Sequence, residues 1–295
     1  MVKKIKLEFT SPFKSIPTAD QLFGHIVWTI SDLYGEDRAS RFVENAPIRI
    51  TSALPEGYFP LPILPSIRKD NVDAVEQRKK AKKNKDLHWI SIEEFSFLQT
   101  GEKSLSELDL SLCQPVLNSI EETRVSIDRI SMKAADGQLY SEEYFCPMNL
   151  AFYVDFKDEE EFSYKNMEEI LEVISIDGIG GNRNIGRGQC VLSMTDLNSL
   201  ENKVFSFSEI DSVFMTLSKC AGTDLKPISY RIEVYSGIVG RTYKGKGFYN
   251  KKPIALFDIG STFSEGEGMI FTDMSTDSKV STYAFAFPVR IRYAK

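Results

Sequence analysis

Residues 178–188 read Gly178-Ile179-Gly180-Gly181-Asn182-Arg183-Asn184-Ile185-Gly186-Arg187-Gly188 and contain five of the chain's 18 glycines. Glycine permits positive φ angles and lets another backbone come close. N–H groups exposed in such a turn form a concave anion site, and arginines add charge-assisted hydrogen bonds to phosphate. The segment, called the glycine loop below, therefore predicts contact with phosphate or RNA. A purely structural turn is the alternative, because other loops use glycine too.

The sequence on either side places this loop between a helix and a strand. Apolar residues recur at helical spacing over residues 167–174, and they alternate with polar ones over residues 190–194. The same order occurs earlier in the chain. A strand over residues 5–9 is followed by a capping-box pattern at Thr18–Gln21 that starts a helix. A second strand is expected from Ile48 to Leu54, and this order is the ferredoxin-like βαβ–insertion–βαβ pattern.

The segment between the two βαβ halves reads as an insertion. Four prolines within residues 55–65 predict a stiff connector without regular structure. Residues 68–120 follow, and their first part, from Arg68 to Lys85, has eight basic and three acidic side chains. Arg124–Arg129, the Asp136-Gly137 turn signal and residues 138–140 then predict a β-hairpin. A long strand is expected from Phe145 to Phe156.

The C-terminal third is mostly strand-like and has no strong helix signal. We expect strands at residues 213–217, 228–239, 254–257, 269–271 and 283–292. These strands fit either a degenerate second ferredoxin-like copy or a sheet packed on the first. The predicted α+β chain therefore divides into residues 1–200, with residues 68–142 as an insertion, and residues 201–295.

Composition limits the function classes. The net charge of −6 argues against a protein that coats nucleic acid along its length. Two basic segments, Arg68–Lys85 and Lys226–Lys252, instead suggest a confined anionic ligand with protein partners around it. No stretch is long and apolar enough to span a bilayer, and the N-terminus lacks the apolar region of a signal peptide. Four separated cysteines (Cys113, Cys146, Cys190 and Cys220) read as thiols of a cytoplasmic protein.

Catalytic and metal-binding candidates are few. His25, early in the first predicted helix, is the sharpest acid–base candidate, although a half-buried packing role is the simpler interpretation. Asp20 and Asp128 are isolated carboxylates, whereas metal chemistry needs acidic residues that converge. We therefore expect no metal and no cofactor.

Other basic residues suit an anionic partner. Lys14 and Ser15 follow the first strand, and Arg124 and Arg129 lie in the predicted hairpin. In residues 240–248, Arg241 and Lys244 flank Tyr243, a mixture that suits phosphate neutralisation and base stacking. A solvated turn or a flexible hairpin tip is the alternative for each.

Several segments together resemble one family. They are residues 11–24, Ser52-Ala-Leu-Pro55 with Phe59-Pro-Leu-Pro62, residues 124–143, the glycine loop, and Gly260–Phe263 followed by Ala286–Val289. In order and spacing they are similar to the RAMP subunit of type III-A CRISPR (Csm) effector complexes, the fourth subunit in that naming, which holds the 5′ end of the CRISPR RNA (crRNA). The glycine loop alone marks only the RAMP superfamily.

The resemblance implies a ferredoxin-like (RRM-like) RAMP domain with a thumb hairpin at Arg124–Tyr140, followed by a second, divergent ferredoxin-like or mostly-β domain. It implies a non-catalytic subunit of antiviral defence that binds the crRNA 5′ tag. Its neighbours would be the large polymerase/nuclease subunit and the backbone RAMP subunit. The RNA-binding residues would be Lys14, Ser15, Arg124, Arg129, Gly178, Gly180, Gly181, Asn182, Arg183, Gly186, Arg187, Gly188, Arg241, Tyr243 and Lys244.

Two other function classes stay open at this point. CRISPR-RNA-processing endoribonucleases share the RAMP fold and the glycine loop, and they often place a catalytic histidine on the first helix. A metal-independent endoribonuclease that uses His25 is therefore the alternative function. A protein-only scaffold is the third class, but it leaves the glycines and arginines of residues 178–188 unexplained.

Overall fold

The N-terminal half is built on a five-stranded antiparallel sheet. In a computed structural model of the chain, its path runs β2 (Ile48–Ile50), β8 (Asn149–Phe156), β1 (Val2–Phe9) and β9 (Cys190–Thr195), and the short β3 (Leu54–Pro55) also pairs with β8. Helices α1 (Ala19–Tyr34) and α4 (Tyr164–Asp177) connect β1 to β2 and β8 to β9. This connectivity and strand order are those of the predicted ferredoxin-like fold.

The structure describes residues 1–65, 87–105, 107, 108, 110, 114–209, 212–239, 249–275 and 280–292. The basic segment Arg68–Lys85 and the predicted RNA-binding residues Arg241, Tyr243 and Lys244 lie outside them. No helix within the described ranges is both long and apolar enough to cross a membrane.

Local signals set the two long helices. The Gln21 side chain accepts a hydrogen bond from the Thr18 N–H at 3.2 Å, as the capping-box pattern predicts, and Gly35 follows the last residue of α1. In α4, Ser163 caps the N-terminus and Gly178 follows the C-terminus. The apolar faces of both helices pack on one face of the sheet. Helix α2 (Glu36–Asn45), which follows Gly35 directly, was not predicted.

The insertion and the hairpin differ in detail from the predictions. Two short strands, β4 (Tyr58–Pro60) and β5 (Trp89–Ser91), pair with each other, so the proline-rich connector has some regular structure. Helix α3 (Ile92–Thr100) follows β5. The hairpin consists of β6 (Ser119–Ile127) and β7 (Ala134–Phe145). Residues 146–148 separate β7 from β8, so the long strand predicted from residue 145 to 156 begins four residues later than predicted, at Asn149.

The hairpin turn is also displaced from its predicted position. It spans residues 128–133, and the Asp136-Gly137 signal lies within β7. The Asp128 carboxylate accepts hydrogen bonds from the N–H groups of Ile130 (2.7 Å) and Ser131 (3.2 Å), which lower its pKa. Met132 adopts a left-handed conformation with φ of 54°. Asp128 therefore stabilises a turn, a role that was not predicted from the sequence.

The C-terminal half contains a second four-stranded antiparallel sheet in the order β11 (Lys226–Ser229), β16 (Thr262–Glu265), β10 (Ser212–Thr216) and β19 (Pro288–Arg292). When the four strands of each sheet path are ranked by their order in the chain, both sheets have the spatial order second, third, first, fourth. The described residues that connect these four strands contain no α-helix. Two helices that precede β10 in the chain, α3 and α5 (Ser199–Phe205), pack against β19. The described residues between 212 and 292 thus form the expected divergent, β-rich second half.

Smaller two-stranded ribbons complete this half. β12 (Ile232–Tyr235) pairs with β15 (Ile254–Phe257), β13 (Ile238–Val239) with β14 (Tyr249–Asn250), and β17 (Gly268–Phe271) with β18 (Thr282–Phe285). The strands predicted at residues 228–239 and 283–292 are therefore broken into several pieces.

The two halves share buried contacts. Tyr153 of β8 packs in one apolar cluster with Phe95 of α3 and Val289 of β19. Asp20, at the start of α1, accepts hydrogen bonds from the Tyr283 N–H (2.9 Å), the Tyr235 hydroxyl (3.1 Å) and the Lys251 ammonium group (3.3 Å). Asp20 therefore has a structural role, and the division at residue 200 stays a prediction.

Candidate functional site

Three segments distant in sequence meet at one end of the first sheet. They are the loop over residues 10–17 after β1, the base of the β6–β7 hairpin (residues 119–124 and 140–145), and the glycine loop after α4. Phe13 pairs with Phe145 of β7 through two backbone hydrogen bonds of 2.8 and 3.1 Å, and their rings stack. The Gly188 N–H donates to the Pro12 carbonyl at 3.0 Å. These contacts fix the three segments relative to one another.

The base of the glycine loop is closed by its own backbone. The Ile179 N–H donates to the Gly188 carbonyl at 2.8 Å. Gly178 and Gly188 have φ angles of +75° and +67°, and a Cβ atom added to Gly188 would lie 2.1 Å from the Ile179 carbonyl oxygen. Only glycine fits this close approach. The predicted site residues Gly178 and Gly188 therefore determine the shape of the loop.

The tip of the glycine loop is open. Gly180, Gly181, Arg183 and Gly186 are exposed, and no heavy atom lies within 4 Å of a Cβ added to any of the three glycines. Among the described residues, the N–H groups of Gly181 and Asn182 have no hydrogen-bond partner. An approaching phosphate would thus meet free backbone donors beside the Arg183 guanidinium.

The hairpin base carries a network of charges, which we call the cation cluster: Lys14, Arg124 and Arg187 around the carboxylates of Glu122 and Glu142. Glu142 lies 2.8 Å from the Lys14 ammonium group and 3.2 Å from the Arg124 guanidinium. Glu122 lies 3.3 Å from Arg124 and forms an ion pair with Arg187. Three cations therefore share two anions.

Tyr144 and Asn182 join the cation cluster to the glycine loop. The Tyr144 hydroxyl donates to Glu142 at 2.5 Å and accepts from the Asn182 side chain at 2.8 Å. The Arg124 and Arg187 guanidinium groups lie 5.3 and 5.2 Å from the centre of the Tyr144 ring, within range of cation–π attraction. The Arg187 Nε is buried, and it has no hydrogen-bond partner in the part of the chain that the structure describes.

The electrostatics keep Glu142 ionised. Hydrogen bonds from Lys14 and Tyr144, together with the charges of Lys14 and Arg124, lower the pKa of Glu142 from 4.5 to about 2. The Tyr144 pKa is raised by burial and by the hydrogen bond to Glu142, so this phenol stays neutral. Counting side-chain charges, the cluster carries +1.

The structure brings together only some of the predicted RNA-binding residues. Lys14, Arg124, Asn182 and Arg187 lie in one network. Ser15 lies in the exposed turn beside Lys14. Arg129 is at the exposed tip of the hairpin, four residues beyond the last pair of the regular register. Arg183 is exposed and donates to the Gly178 carbonyl at 3.3 Å.

Sequence reasoning missed Glu122, Glu142 and Tyr144. In an antiparallel ribbon, directly opposed residues share a face, and Glu122 opposes Glu142 while Arg124 opposes Tyr140. The alternation Glu122-Thr-Arg124 and Glu142-Glu-Tyr144 was the available signal. It places acidic, basic and aromatic side chains on one face of the predicted hairpin.

His25 lies against the glycine loop. Its Nε2 accepts a long hydrogen bond of 3.5 Å from the Gly180 N–H. Burial, and to a lesser extent the charge of Arg183, lowers its pKa from 6.5 to about 4. A neutral imidazole that accepts from the loop supports a positioning role. Within the described residues no group of three or more His, Cys, Asp or Glu side chains is arranged to hold a metal ion.

We expect this lowered pKa to appear in the pH dependence of folding. Between pH 6.5 and 4 the unfolded chain binds a proton at His25 that the folded chain does not, so the free energy of unfolding falls as the pH falls. The effect is at most about 3–4 kcal/mol, because the pKa falls from 6.5 to about 4 and one pKa unit corresponds to about 1.4 kcal/mol. Urea denaturation of His25→Gln should show a shallower loss of stability over this range.

The chain offers a matched control, since its other histidine, His88, is exposed. His88→Gln should keep the wild-type pH dependence. Equal pH dependence in His25→Gln and the wild type would contradict the lowered pKa.

The sheet itself offers no stacking platform. The face opposite α1 and α4 is covered around Tyr153, where Lys4 is buried and paired with Glu201 at 3.0 Å. Exposed positions on β1, β8 and β9 include Glu8, Asn149 and Val191, and no exposed residue in these strands is aromatic. Stacking of bases on an open sheet, as in RRM domains, is therefore not available here.

A second concave surface begins beside the loop over residues 10–17. It is a groove of about 640 Å³. Pro60, Leu61 and Pro62 of the Phe59-Pro-Leu-Pro62 motif line this groove. Trp89 and Arg231 also contribute to its wall. The motif thus packs between the two halves of the molecule.

Comparison with known proteins gives the family. The family model of the RAMP superfamily matches residues 4–191. The chain belongs to the RAMP superfamily. The match runs from within β1 to the first two residues of β9, and it includes both helices of the sheet, the hairpin and the glycine loop. No curated protein matches this RAMP chain at a significant level.

Solved structures share the fold of this RAMP protein over its whole length. A chain of the Csm3-Csm4 subcomplex of the type III-A CRISPR-Cas interference complex has 18% sequence identity and a TM-score of 0.69, covering 99% of this chain and 100% of that one. A chain of the Csm1-Csm4 cassette in complex with pppApA has 16% identity, a TM-score of 0.66 and 99% coverage of both chains.

A more distant fold match belongs to the type III-B Cmr-beta complex bound to cognate target RNA and AMPPnP. It has 13% identity and a TM-score of 0.53, and it covers 88% of this chain and 86% of that chain. At these identities the likeness concerns the fold.

Proposed function

We propose that this chain is a crRNA-binding subunit of a type III-A CRISPR effector complex that holds the 5′ tag of the crRNA. The observation that carries the proposal is the end-to-end fold match to chains from two assemblies, Csm1-Csm4 and Csm3-Csm4, whose common component is Csm4. By this analogy the partners are the large polymerase/nuclease subunit and the backbone RAMP subunit, and the chain bridges them in the cytoplasm.

The local geometry supports an RNA ligand at the glycine loop and the hairpin base. The loop offers free N–H groups at Gly181 and Asn182, and the cation cluster lies beside it across the Asn182–Tyr144 hydrogen bond. Single-stranded RNA is held by backbone contacts of this kind, together with contacts to its exposed bases. A site with a small net charge suits a short tag, whereas coating RNA along its length needs a broad basic surface.

The hairpin supports the thumb assignment. Beyond Val125 the hairpin has several apolar side chains that are exposed. Ile127, Ile130, Met132 and Leu139 have 61, 97, 77 and 71% of their surface accessible. Apolar side chains at a protruding tip cost free energy in water, which favours a role in which RNA bases or a partner protein cover them. We propose that this tip kinks the guide, as the thumbs of related RAMPs do.

The geometry disfavours the endoribonuclease alternative. Cleavage without a metal needs one group to deprotonate the 2′-hydroxyl and another to protonate the leaving oxygen. His25 has a pKa of about 4, so it is neutral near pH 7 and cannot donate a proton efficiently. Its Nε2 also faces the Gly180 N–H. We therefore propose that the subunit is not an enzyme.

We expect purified protein to leave repeat RNA intact in the presence of EDTA at pH 7–8. The measurement is gel analysis of end-labelled repeat RNA over several hours, with His25→Ala as the matched variant. Specific cleavage by the wild type that His25→Ala abolishes would overturn the non-catalytic assignment. It would also restore the endoribonuclease hypothesis.

A further inference from the structure

The positive charges of the cation cluster are largely neutralised by its own carboxylates. Lys14, Arg124 and Arg187 each form an ion pair with Glu122 or Glu142, and Arg124 contacts both. These five side chains lie at the junction of the hairpin base with two loops. All except Lys14 are less than one-third exposed.

The two carboxylates already hold the lysine and arginine donors that a phosphate would need. A glutamate oxygen and a phosphate oxygen accept the same hydrogen bonds from guanidinium and ammonium groups. Glu142 and Glu122 therefore compete with a bound backbone for the same donors. With both in place, the cluster has the charge to neutralise about one phosphate; without them it would neutralise three.

We propose that Glu122 and Glu142 are specificity-determining residues that act as built-in counter-anions and prevent this cluster from binding RNA indiscriminately. This inference rests on the proposed crRNA-binding function. RNA held at the cluster gains little from general electrostatic attraction, so it must gain the rest of its affinity from the glycine loop and from base contacts. An RNA that does not make these contacts is released.

The alternative for the same residues is a structural role. In that case the glutamates only hold the hairpin base against the glycine loop, and their removal loosens the site and weakens binding of every RNA. The two roles predict opposite changes in affinity for a non-cognate RNA. Glutamine separates them, because its amide keeps an acceptor oxygen for the lysine and arginine donors but removes the negative charge.

The test compares Glu122→Gln/Glu142→Gln with the wild type. The hairpin supplies a matched control: Glu121 and Glu143 oppose each other in the adjacent register pair, point to the other face of the ribbon and are exposed. The variant Glu121→Gln/Glu143→Gln makes the same change in net charge away from the cluster. Circular dichroism and thermal unfolding verify that all three proteins are folded.

Binding is measured by fluorescence anisotropy with two labelled probes, an RNA that carries the repeat-derived tag and an oligouridine of equal length, across a series of salt concentrations. For Glu122→Gln/Glu142→Gln we expect at least tenfold tighter oligouridine binding at low salt and a smaller preference for tag RNA. The slope of the logarithm of its binding constant against the logarithm of the salt concentration should steepen by about 1.4, because two further phosphate contacts contribute about 0.7 each for single strands. The control variant should change little.

Each outcome decides the matter. If the variant binds oligouridine no tighter than the wild type, while the wild type still prefers tag RNA, the counter-anion role is overturned and the proposed function stands. An equal gain in the control variant would attribute the effect to overall charge and would also overturn it. If the wild type has no preference for tag RNA, alone or in the assembled complex, the proposed function fails, and this inference fails with it.

Discussion

Gly188→Ala is expected to lower the free energy of unfolding by at least about 2–3 kcal/mol, the range typical of backbone changes at strained positions. A left-handed conformation alone costs a residue with a Cβ about 1 kcal/mol or more. In addition, the new Cβ would lie 2.1 Å from the Ile179 carbonyl oxygen, and a backbone atom cannot move aside without disturbing its neighbours. Both the hydrogen bond to Pro12 and the one from Ile179 would be strained.

Gly181→Ala is the matched control for this change. Gly181 lies in the same loop, its φ angle is outside the left-handed region, and no atom lies within 4 Å of an added Cβ. We expect its stability to stay within about 0.5 kcal/mol of the wild type. Chemical denaturation of the three proteins measures the difference. Equal stability of Gly188→Ala and Gly181→Ala would contradict the close approach of Gly188 to the Ile179 carbonyl at the base of the glycine loop.

The double substitution Arg183→Ala/Arg187→Ala should have the largest effect on RNA binding. It removes the exposed guanidinium at the loop tip and the half-buried one that links the loop to Glu122 and Tyr144. The affinity for crRNA should fall at least tenfold. The slope of the logarithm of the binding constant against the logarithm of the salt concentration should become shallower by about 1.4, since each phosphate contact to a single strand contributes about 0.7. Retention and slope are measured by filter binding across salt concentrations.

A control with the same charge change lies at the far end of α4. Lys157→Ala/Lys165→Ala removes two exposed cations, one before α4 and one in its first turn. Since α4 is 14 residues long, its two ends are about 20 Å apart. This control should keep wild-type affinity and slope. Equal losses in both double variants would show that overall charge, and not the glycine loop, determines binding.

Elements defined by local patterns were predicted well. The capping box at Thr18 and the glycine after Tyr34 give the bounds of α1, and the apolar spacing over residues 167–174 gives α4. The glycine loop follows from the same signals. Its position between a helix and a strand depends only on neighbouring residues.

Elements decided by competing local signals or by distant partners were predicted poorly. The Asp136-Gly137 signal was overridden because Asp128 caps an earlier turn through its own side chain. Arg187 was predicted as a phosphate ligand, and its pairing with Glu122 depends on a contact between residues 65 positions apart. No periodicity in one segment encodes such a contact.

In the second half of the chain, too, contacts between distant residues were not predicted from the sequence. Its strands were largely located, but their order in the sheet depends on pairings between residues far apart, such as Phe214 with Phe263 and with Arg290. The covering helix α3 comes from residues that were interpreted as an insertion. Packing of α3 on β19 could therefore be found only from the structure.

The glycine loop and the cation cluster are proposed to hold the 5′ tag of a crRNA. The most direct test purifies the chain with its genomic neighbours, cross-links the bound RNA with ultraviolet light, and sequences both the RNA and the cross-linked peptides. We predict small RNAs that share a repeat-derived 5′ end, with cross-links in residues 178–188 or at the hairpin base. An assembled complex whose RNA lacks a common 5′ end, or whose cross-links to this chain avoid both segments, would contradict the claim.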